Sequence, residues 1–269
     1  MKIDFHLHTR ASFDCDSDPV QIVNWALKKG LNGLAVTDHD TTSGLDALKS
    51  AAALYGLFVI PAIEFTVARG THYLVYLTPD VPLHKDDLEM IDEVHRRGGL
   101  IGLPHPYRSD TGLIFNQIEK SFYSKEEVDA ILSQIDLIEV FNAKSTLQQN
   151  EQAQQLAESF PKLKRTAGSD SHHPSSVGAA HTEIRGFQYG NLQEMRQQLK
   201  SLPTRIVLLP ELMESDASRK LHSAIEGVRS LMVKIKPVVP KQIWKTGKSI
   251  YRNSYNRWAE KRAHRSVVK

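Results

Sequence analysis

Lys2-Ile3-Asp4-Phe5-His6-Leu7-His8-Thr9 alternates apolar and polar side chains. Successive side chains of a strand point to opposite faces, so residues two apart share one. This pattern places His6 and His8 together on one face, with Ile3, Phe5 and Leu7 on the other. Two imidazoles side by side at a strand end make half a site for a borderline divalent metal. Two unrelated surface histidines would leave the same local pattern, so the choice falls to the rest of the chain.

Downstream, apolar runs alternate with helical patterns. Asp18-Pro19 opens a helix whose stripe is Val20, Val23, Ala26 and Leu27, and Gly30 stops it. A buried-type strand at 33–37 ends in Asp38-His39, and a helix through Leu45, Leu48, Ala52 and Tyr55 leads to a strand at 57–63 that ends at Glu64. Arg69-Gly70 signals a turn before a strand at 72–77. A helix at 86–97 precedes a short strand at 100–103, with His105 just beyond. A helix at 125–133, a strand at 136–141 ending at Asn142, and a helix at 148–159 continue the series. Arg165-Thr166-Ala167-Gly168 then runs into Ser169-Asp170-Ser171-His172, and a helix at 191–200 and a strand at 204–209 follow. Repeated strand–helix units predict a parallel α/β fold. Polar residues fall at the carboxyl end of nearly every strand. In a barrel such ends converge on one mouth, whereas an open sheet gathers ligands only at its switch point, so a barrel or near-barrel is expected. No glycine-rich phosphate loop of dinucleotide or Walker type is present.

A chain of 269 residues suits one large domain, or one domain with an appendage. The single cysteine, Cys15, excludes an intrachain disulfide and reads as a buried, inert thiol in a reducing compartment. With no signal-peptide pattern and no apolar run of membrane-spanning length, a soluble cytoplasmic protein is expected. The net charge of +3 hides an asymmetry. Residues 214–269 carry 14 Lys and Arg against 4 Asp and Glu, so the preceding 213 residues are net acidic. The expected division is an acidic barrel body at 1–213 and a basic, helical C-terminal extension at 214–269. In the extension, Leu221, Ile225, Val228, Met232 and Ile235 keep helical spacing, and Pro237 and Pro240 interrupt it. A second pattern sets Trp244, Tyr251, Tyr255 and Trp258 against Lys241, Lys245, Lys248, Arg252, Arg257, Lys261 and Arg262. A helix of this kind can pack on the barrel or on a second subunit, lie on an anionic membrane, or attract nucleic-acid phosphates. It contains no metal-ligand motif, so the expectation is association or location rather than chemistry.

The residues at the strand ends each have a plain explanation. Thr37-Asp38-His39-Asp40 can be a turn with a helix cap, and His105, bracketed by prolines, can simply sit in a rigid loop. Glu64, at the end of an apolar strand, is costly unless paired or metal-bound. Asp170 and His172 repeat the alternation of His6 and His8. Their joint recurrence at successive strand ends points to a metal centre.

The ordered set HLHT at 6–9, TDHD at 37–40, Ile63-Glu64, the strand at 72–77, GGLIGLPHP at 98–106, EVFN at 139–142 and GSDSH at 168–172 resembles the PHP superfamily, named for polymerase and histidinol phosphatase. The resemblance covers about residues 1–185. It implies a distorted seven-stranded (β/α) barrel of TIM-like type holding two or three divalent metal ions (Mn, Fe or Zn) and hydrolysing phosphate esters by metal-activated hydroxide. Carried over to this chain, it implies His6, His8, Glu64 and Asp170 around a first metal. Glu64 would bridge to a second held by His72 and His105, and Asp14, His39 and His172 would form a third site. An oxygen ligand at Asp14, with Asp16 close by in sequence, tilts the expected metal toward manganese or iron over zinc. His84, His95, His222 and His264 read as surface residues, and His173 and His181 lie near the mouth.

Catalytic roles fall on His172 or Asp38 as a protonated group assisting the leaving alkoxide, with orientation of a ligand as the other role for Asp38. Arg108, then Lys144, with Asn142 at the adjoining strand end, are the expected substrate contacts. The expected substrate is a small phosphate ester, such as a nucleotide or nucleoside bisphosphate. Alternatives are an exonuclease on short RNA or DNA and a histidinol-phosphatase-like enzyme, against which TDHD speaks. An amidohydrolase-type C–N hydrolase and a non-catalytic, metal-stabilised scaffold complete the set.

Overall fold

The computed structural model describes residues 1–78 and 80–209. The basic extension at 214–269, with its expected helices and its expected partners, lies outside the described residues.

Nine strands and seven α-helices alternate through the described chain. The strands are β1 (Lys2–Leu7), β2 (Gly33–Val36), β3 (Phe58–Thr66), β4 (His72–Tyr76), β5 (Leu100–Leu103), β6 (Leu137–Asn142), β7 (Lys164–Gly168), β8 (Ala180–Ile184) and β9 (Thr204–Leu208). The helices are α1 (Pro19–Lys28), α2 (Leu45–Ala53), α3 (Asp87–Arg96), α4 (Leu113–Ile118), α5 (Lys125–Gln134), α6 (Leu147–Ser159) and α7 (Leu192–Ser201). Local chemistry sets their starts. Asp18 accepts from the Val20 N–H with Pro19 in the first turn of α1, and reciprocal capping boxes open α5 (Ser124 with Glu127) and α6 (Thr146 with Gln149). Each such cap stabilises its helix by about 1 kcal/mol.

The nine strands form one sheet in the order β7-β6-β5-β4-β3-β2-β1-β8-β9. The sheet nearly closes: β1 reaches the segment after β7 through a parallel bridge of Leu7 with Ser171, through the His8 N–H on Ser171 O (2.9 Å), and through the Asp170 N–H on His6 O (2.7 Å). A Cβ on Gly168 would lie 2.3 Å from His6 Cβ, so this approach of β7 to β1 needs glycine there. The result is an α/β, barrel-like fold.

Three expectations are corrected. The sheet has nine strands, not seven, because β8 and β9 add an antiparallel pair onto the start of β1. It is mixed rather than parallel: β4 runs antiparallel to both β3 and β5. The turn at 67–71 is too short to hold a crossover helix, so a hairpin is the geometric outcome. Finally, β1 is not a simple alternating strand. Its register with β2 shifts between Asp4 and Leu7. Ile3 and Phe5 pack with Leu74, Tyr76 and Leu137, while Leu7 packs with Ile22, Val23 and Leu48 under the helices. Such irregularities re-aim side chains next to sites.

Apolar burial then divides in a way the topology requires. One cluster, including Ile3, Phe5, Ile60, Leu74 and Tyr76, holds the strands together, and Tyr76 Oη donates to Phe5 O (3.0 Å). Others seat the helices on the sheet: Ile22, Val23 and Ala26 of α1 with Leu48 and Ala52 of α2, and Met90, Ile91 and Val94 of α3 with Val128, Ile131 and Leu132 of α5. None of the helices is long and apolar enough to cross a membrane, among the described residues.

Candidate metal centre

The antiparallel course of β4 brings its first residue, His72, beside the last residues of β3, opposite Thr66 in register. His72 thus reaches the same mouth as residues at the carboxyl ends of β1, β2, β3 and β7. Glu64 occupies the middle of that mouth. Its Oε2 lies 3.3 Å from His6 Nε2, 3.2 Å from His8 Nε2 and 3.3 Å from His39 Nδ1. Its Oε1 lies 2.7 Å from His72 Nδ1 and 3.0 Å from His105 Nε2. Asp170 stands beside it, with Oδ1 3.7 Å from His6 Nε2, 3.3 Å from His8 Nε2 and 3.4 Å from His172 Nδ1. Asp14 Oδ2 meets His172 Nε2 and lies 3.4 Å from His39 Nε2.

Four sets of side chains have ligand atoms all within 4.8 Å of one another: His6/His8/Asp170, His6/Glu64/His105, His39/Glu64/His72 and His8/Asp14/His39/His172. Every residue expected from the sequence as a metal ligand falls in at least one set. The partition differs from the expected one. His72 and His105 fall in separate sets, each sharing Glu64, and His8 joins Asp14, His39 and His172. Asp16 is in none of the sets found among the described residues.

The hydrogen bonds behind these side chains orient their rings. Glu139 Oε1 accepts from His6 Nδ1 (3.1 Å), which turns Nε2 toward Glu64 and Asp170. Glu139 Oε2 accepts from the His105 N–H (3.0 Å) and Asn142 Nδ2 (2.9 Å). Ser12 Oγ donates to Asp38 Oδ1 (2.7 Å) and so can accept from His8 Nδ1 (3.0 Å), again leaving Nε2 toward the cluster. Polar groups that hold a metal-binding imidazole in this way set both ring orientation and basicity. His105 and Asp170 also have φ of 28° and 49°, a region non-glycine residues avoid. Strain of this kind persists only where surroundings enforce it, and it clusters at functional sites.

Electrostatics explains what such a site requires. Burial works against ionisation of Glu64 and Asp170, yet both are held well below the ordinary carboxylate range. His72, His39 and His6 do this for Glu64, and Arg108, Lys144 and His6 for Asp170. Burial lowers His105 to about 3, with Arg108 adding to it, and holds His172 at about 3 despite Asp14. Burial also opposes a charge on His8, but the Asp170 and Glu64 carboxylates raise it to about 9. Buried anions need compensating cations. His105 and His172 are thus kept neutral beside ionised Glu64 and Asp170, while the same carboxylates draw a proton onto His8. Imidazoles and carboxylates together are the donor set that divalent metals take, with the metal's charge in place of that proton. His8 Nε2 lies near two carboxylates but makes no hydrogen bond of good geometry, and His105 Nδ1 has none among the described residues. The side chains therefore fit divalent ions.

Some expected roles change. Asp38 does not reach the cleft: its carboxylate accepts from the Thr9 N–H (2.7 Å), Thr9 Oγ1 (2.8 Å) and Ser12 Oγ (2.7 Å). Of the two roles expected for Asp38, these contacts fit the orienting one, positioning His8 through Ser12, and not proton donation. His172 directs Nε2 at Asp14 inside the cluster, as a ligand would. Asn142 is fully buried. Its side chain is used by Glu139, Asp170, Arg108 and the Lys144 N–H, so it positions others instead of touching substrate. Arg108 binds Asp170 Oδ2 (2.5 Å) and Asn142 Oδ1 (2.7 Å). Lys144 Nζ lies 3.0 Å from His172 Nδ1.

His84 is exposed beside Glu89, whereas His95 is partly buried on Asp136 (2.9 Å), more than a surface residue. His173 caps the short turn at Pro174–Ser176, and the buried His181 lies in β8 with Nδ1 3.3 Å from Gly178 O. Neither belongs to the sets above. His222 and His264 lie outside the described residues. Glu139 and Ser12 were not expected at the site. Glu139 carried a usable signal, a carboxylate inside the apolar run Leu137-Ile138-Glu139-Val140-Phe141.

A barrel-like α/β sheet with buried histidines and carboxylates at one mouth is the frame of a metal-dependent hydrolase class, and the comparisons agree. The PHP domain family model matches residues 4–202, and the chain belongs to that family. It is 37% identical over 70 residues to a 3′,5′-nucleoside bisphosphate phosphatase of Chromobacterium violaceum, covering 26% of this chain and 24% of that protein. It is 38% identical over 74 residues to a 5′-3′ exoribonuclease of Haemophilus influenzae, covering 26% and 27% respectively. The chain thus spans about a quarter of either relative. In fold it is similar to a two-domain protein containing a predicted PHP-like metal-dependent phosphoesterase from Bacteroides vulgatus. The TM-score is 0.60 at 22% identity, over 77% of this chain and 64% of that one.

Proposed function

We propose that the chain is a metal-dependent phosphoesterase acting on a small substrate with two anionic groups, a nucleoside bisphosphate fitting best. One observation carries the choice: among the described residues, the cations paired with the cluster, Arg108 and Lys144, stand on its Asp170 side, within 2.5 Å and 4.0 Å of that carboxylate. The scissile phosphate would sit over the histidines and carboxylates, and a second phosphate over the cations. A guanidinium carries five donors, so Arg108 can hold Asp170 and an oxyanion together. His6, His8, Asp14, His39, Glu64, His72, His105, Asp170 and His172 would hold two or three divalent ions. Manganese or iron is favoured over zinc by the three carboxylates. When bound, such ions supply positive charge against the phosphoryl oxygens and lower the pKa of water. The chain's own part is to aim the imidazoles through Glu139, Ser12 and Asp38, and to orient the substrate through Arg108 and Lys144.

The relative that is an exoribonuclease supplies the second reading, since a 5′-phosphorylated RNA end also offers adjacent phosphates. Comparison of kcat/KM with manganese decides it, using adenosine 3′,5′-bisphosphate, a short 5′-phosphorylated RNA and histidinol phosphate. The bisphosphate should lead by about tenfold or more, equivalent to about 1.4 kcal/mol. A comparable lead for RNA would replace this reading with the exonuclease.

A further inference from the structure

Phe13 is a large apolar side chain left half-exposed (49%) between the buried residues Ser12 and Asp14. An isolated exposed phenylalanine on a surface needs no explanation, but this one is held in place beside the candidate centre. The segment carrying it is pinned on both sides. The Ser12 N–H donates to Thr9 O (3.1 Å) and the Cys15 N–H to Ser12 O (3.3 Å). Ser12 Oγ is anchored on Asp38 (2.7 Å), and Cys15 Sγ on His8 O (3.3 Å) and His172 O (3.4 Å). The ring itself packs on the His39 imidazole, with centroids 5.2 Å apart and planes 41° apart. His39 is among the cluster side chains that keep some exposure, 10%, so Phe13 borders the open edge of the centre. The two cations lie on the Asp170 side instead.

We infer that Phe13 is a specificity-determining residue, the platform on which a planar aromatic group of the substrate, a nucleobase, stacks while its phosphate lies over the cluster. This rests on the phosphoesterase reading above and adds to it the class of leaving group. Base–aromatic stacking is tolerant of base identity because every base has a π-face. The platform therefore selects for the presence of a base and not for its sequence. Holding the ring on a pinned loop also means that little side-chain freedom is lost when the base arrives.

The test uses the full-length, manganese-loaded protein with two substrates, adenosine 3′,5′-bisphosphate and the abasic sugar bisphosphate that lacks the base. The readout is the ratio of their kcat/KM values. Phe13→Leu keeps apolar bulk but removes the π-face, and Phe13→Trp restores it. The ratio should fall about tenfold in Phe13→Leu, mainly through KM, and return to or above the wild-type value in Phe13→Trp. Metal content, measured alongside, should be the same in all three proteins. An unchanged ratio in Phe13→Leu overturns the platform and leaves the phosphoesterase reading standing. A ratio that falls together with metal content shows that Phe13 only supports His39, and overturns it too. Wild-type protein that hydrolyses neither substrate overturns both.

Discussion

Glu64→Gln should lower phosphate ester turnover about a thousandfold, equivalent to about 4 kcal/mol, with loss of bound metal and an unchanged far-UV circular dichroism spectrum. The carboxylate faces five imidazoles, those of His6, His8, His39, His72 and His105, at 2.7–3.3 Å. It belongs to two of the four potential ligand sets. The amide keeps the shape but removes the charge, and it turns an NH2 group toward nitrogens aimed to give lone pairs. Both changes oppose a cation between them. Because Glu64 meets other site residues and not the apolar core, the fold has no need of its charge. Turnover and metal content near wild type in Glu64→Gln would remove Glu64 from the centre.

A smaller loss, of different form, is expected for Glu139→Gln. One oxygen of Glu139 accepts from His6 Nδ1 and the other from the His105 N–H and Asn142 Nδ2. All three partners are donors, and a glutamine offers a single acceptor oxygen, so one side is left facing NH2. His6 would lose its orientation, or the loop at His105, already at a φ of 28°, its restraint. Partners of this kind are worth about 10–100-fold in metal affinity. The manganese concentration giving half-maximal activity should therefore rise by that factor, while kcat at saturating manganese stays within a few-fold of wild type. An unchanged manganese midpoint would show that Glu139 acts on the fold alone.

These two residues mark how far the sequence could be read. Glu64 was visible because a carboxylate at the end of an apolar strand demands a partner, and His6, His8, His39, His105 and Asp170 were visible for the same positional reason. Glu139 lies mid-strand, where the boundary rule that singled out strand ends does not look. Its two histidine partners are 133 and 34 residues away in sequence. The alternation of β1 pointed His6 and His8 the same way, but the register shift that separates Leu7 from Ile3 and Phe5 leaves no local mark. His72 appeared at a strand start, on the wrong end for a parallel barrel. Only the antiparallel hairpin of β3 and β4 explains how it reaches the mouth. β8, whose Ala180-His181-Thr182-Glu183-Ile184 shows little apolar alternation, was not anticipated, nor was the six-residue α4. Asp38 and Asn142 were recognised as important polar residues, but whether a side chain touches substrate or another side chain is decided by tertiary contacts.

The central claim, that this mouth is a divalent metal centre for phosphate ester hydrolysis, is tested most directly by stripping and reloading the full-length protein. Chelated protein, shown metal-free by elemental analysis, should release no phosphate from adenosine 3′,5′-bisphosphate. Stepwise addition of manganese should restore release as two or three ions bind per chain. Full activity in demonstrably metal-free protein, or no phosphate release from manganese-loaded protein, would contradict it.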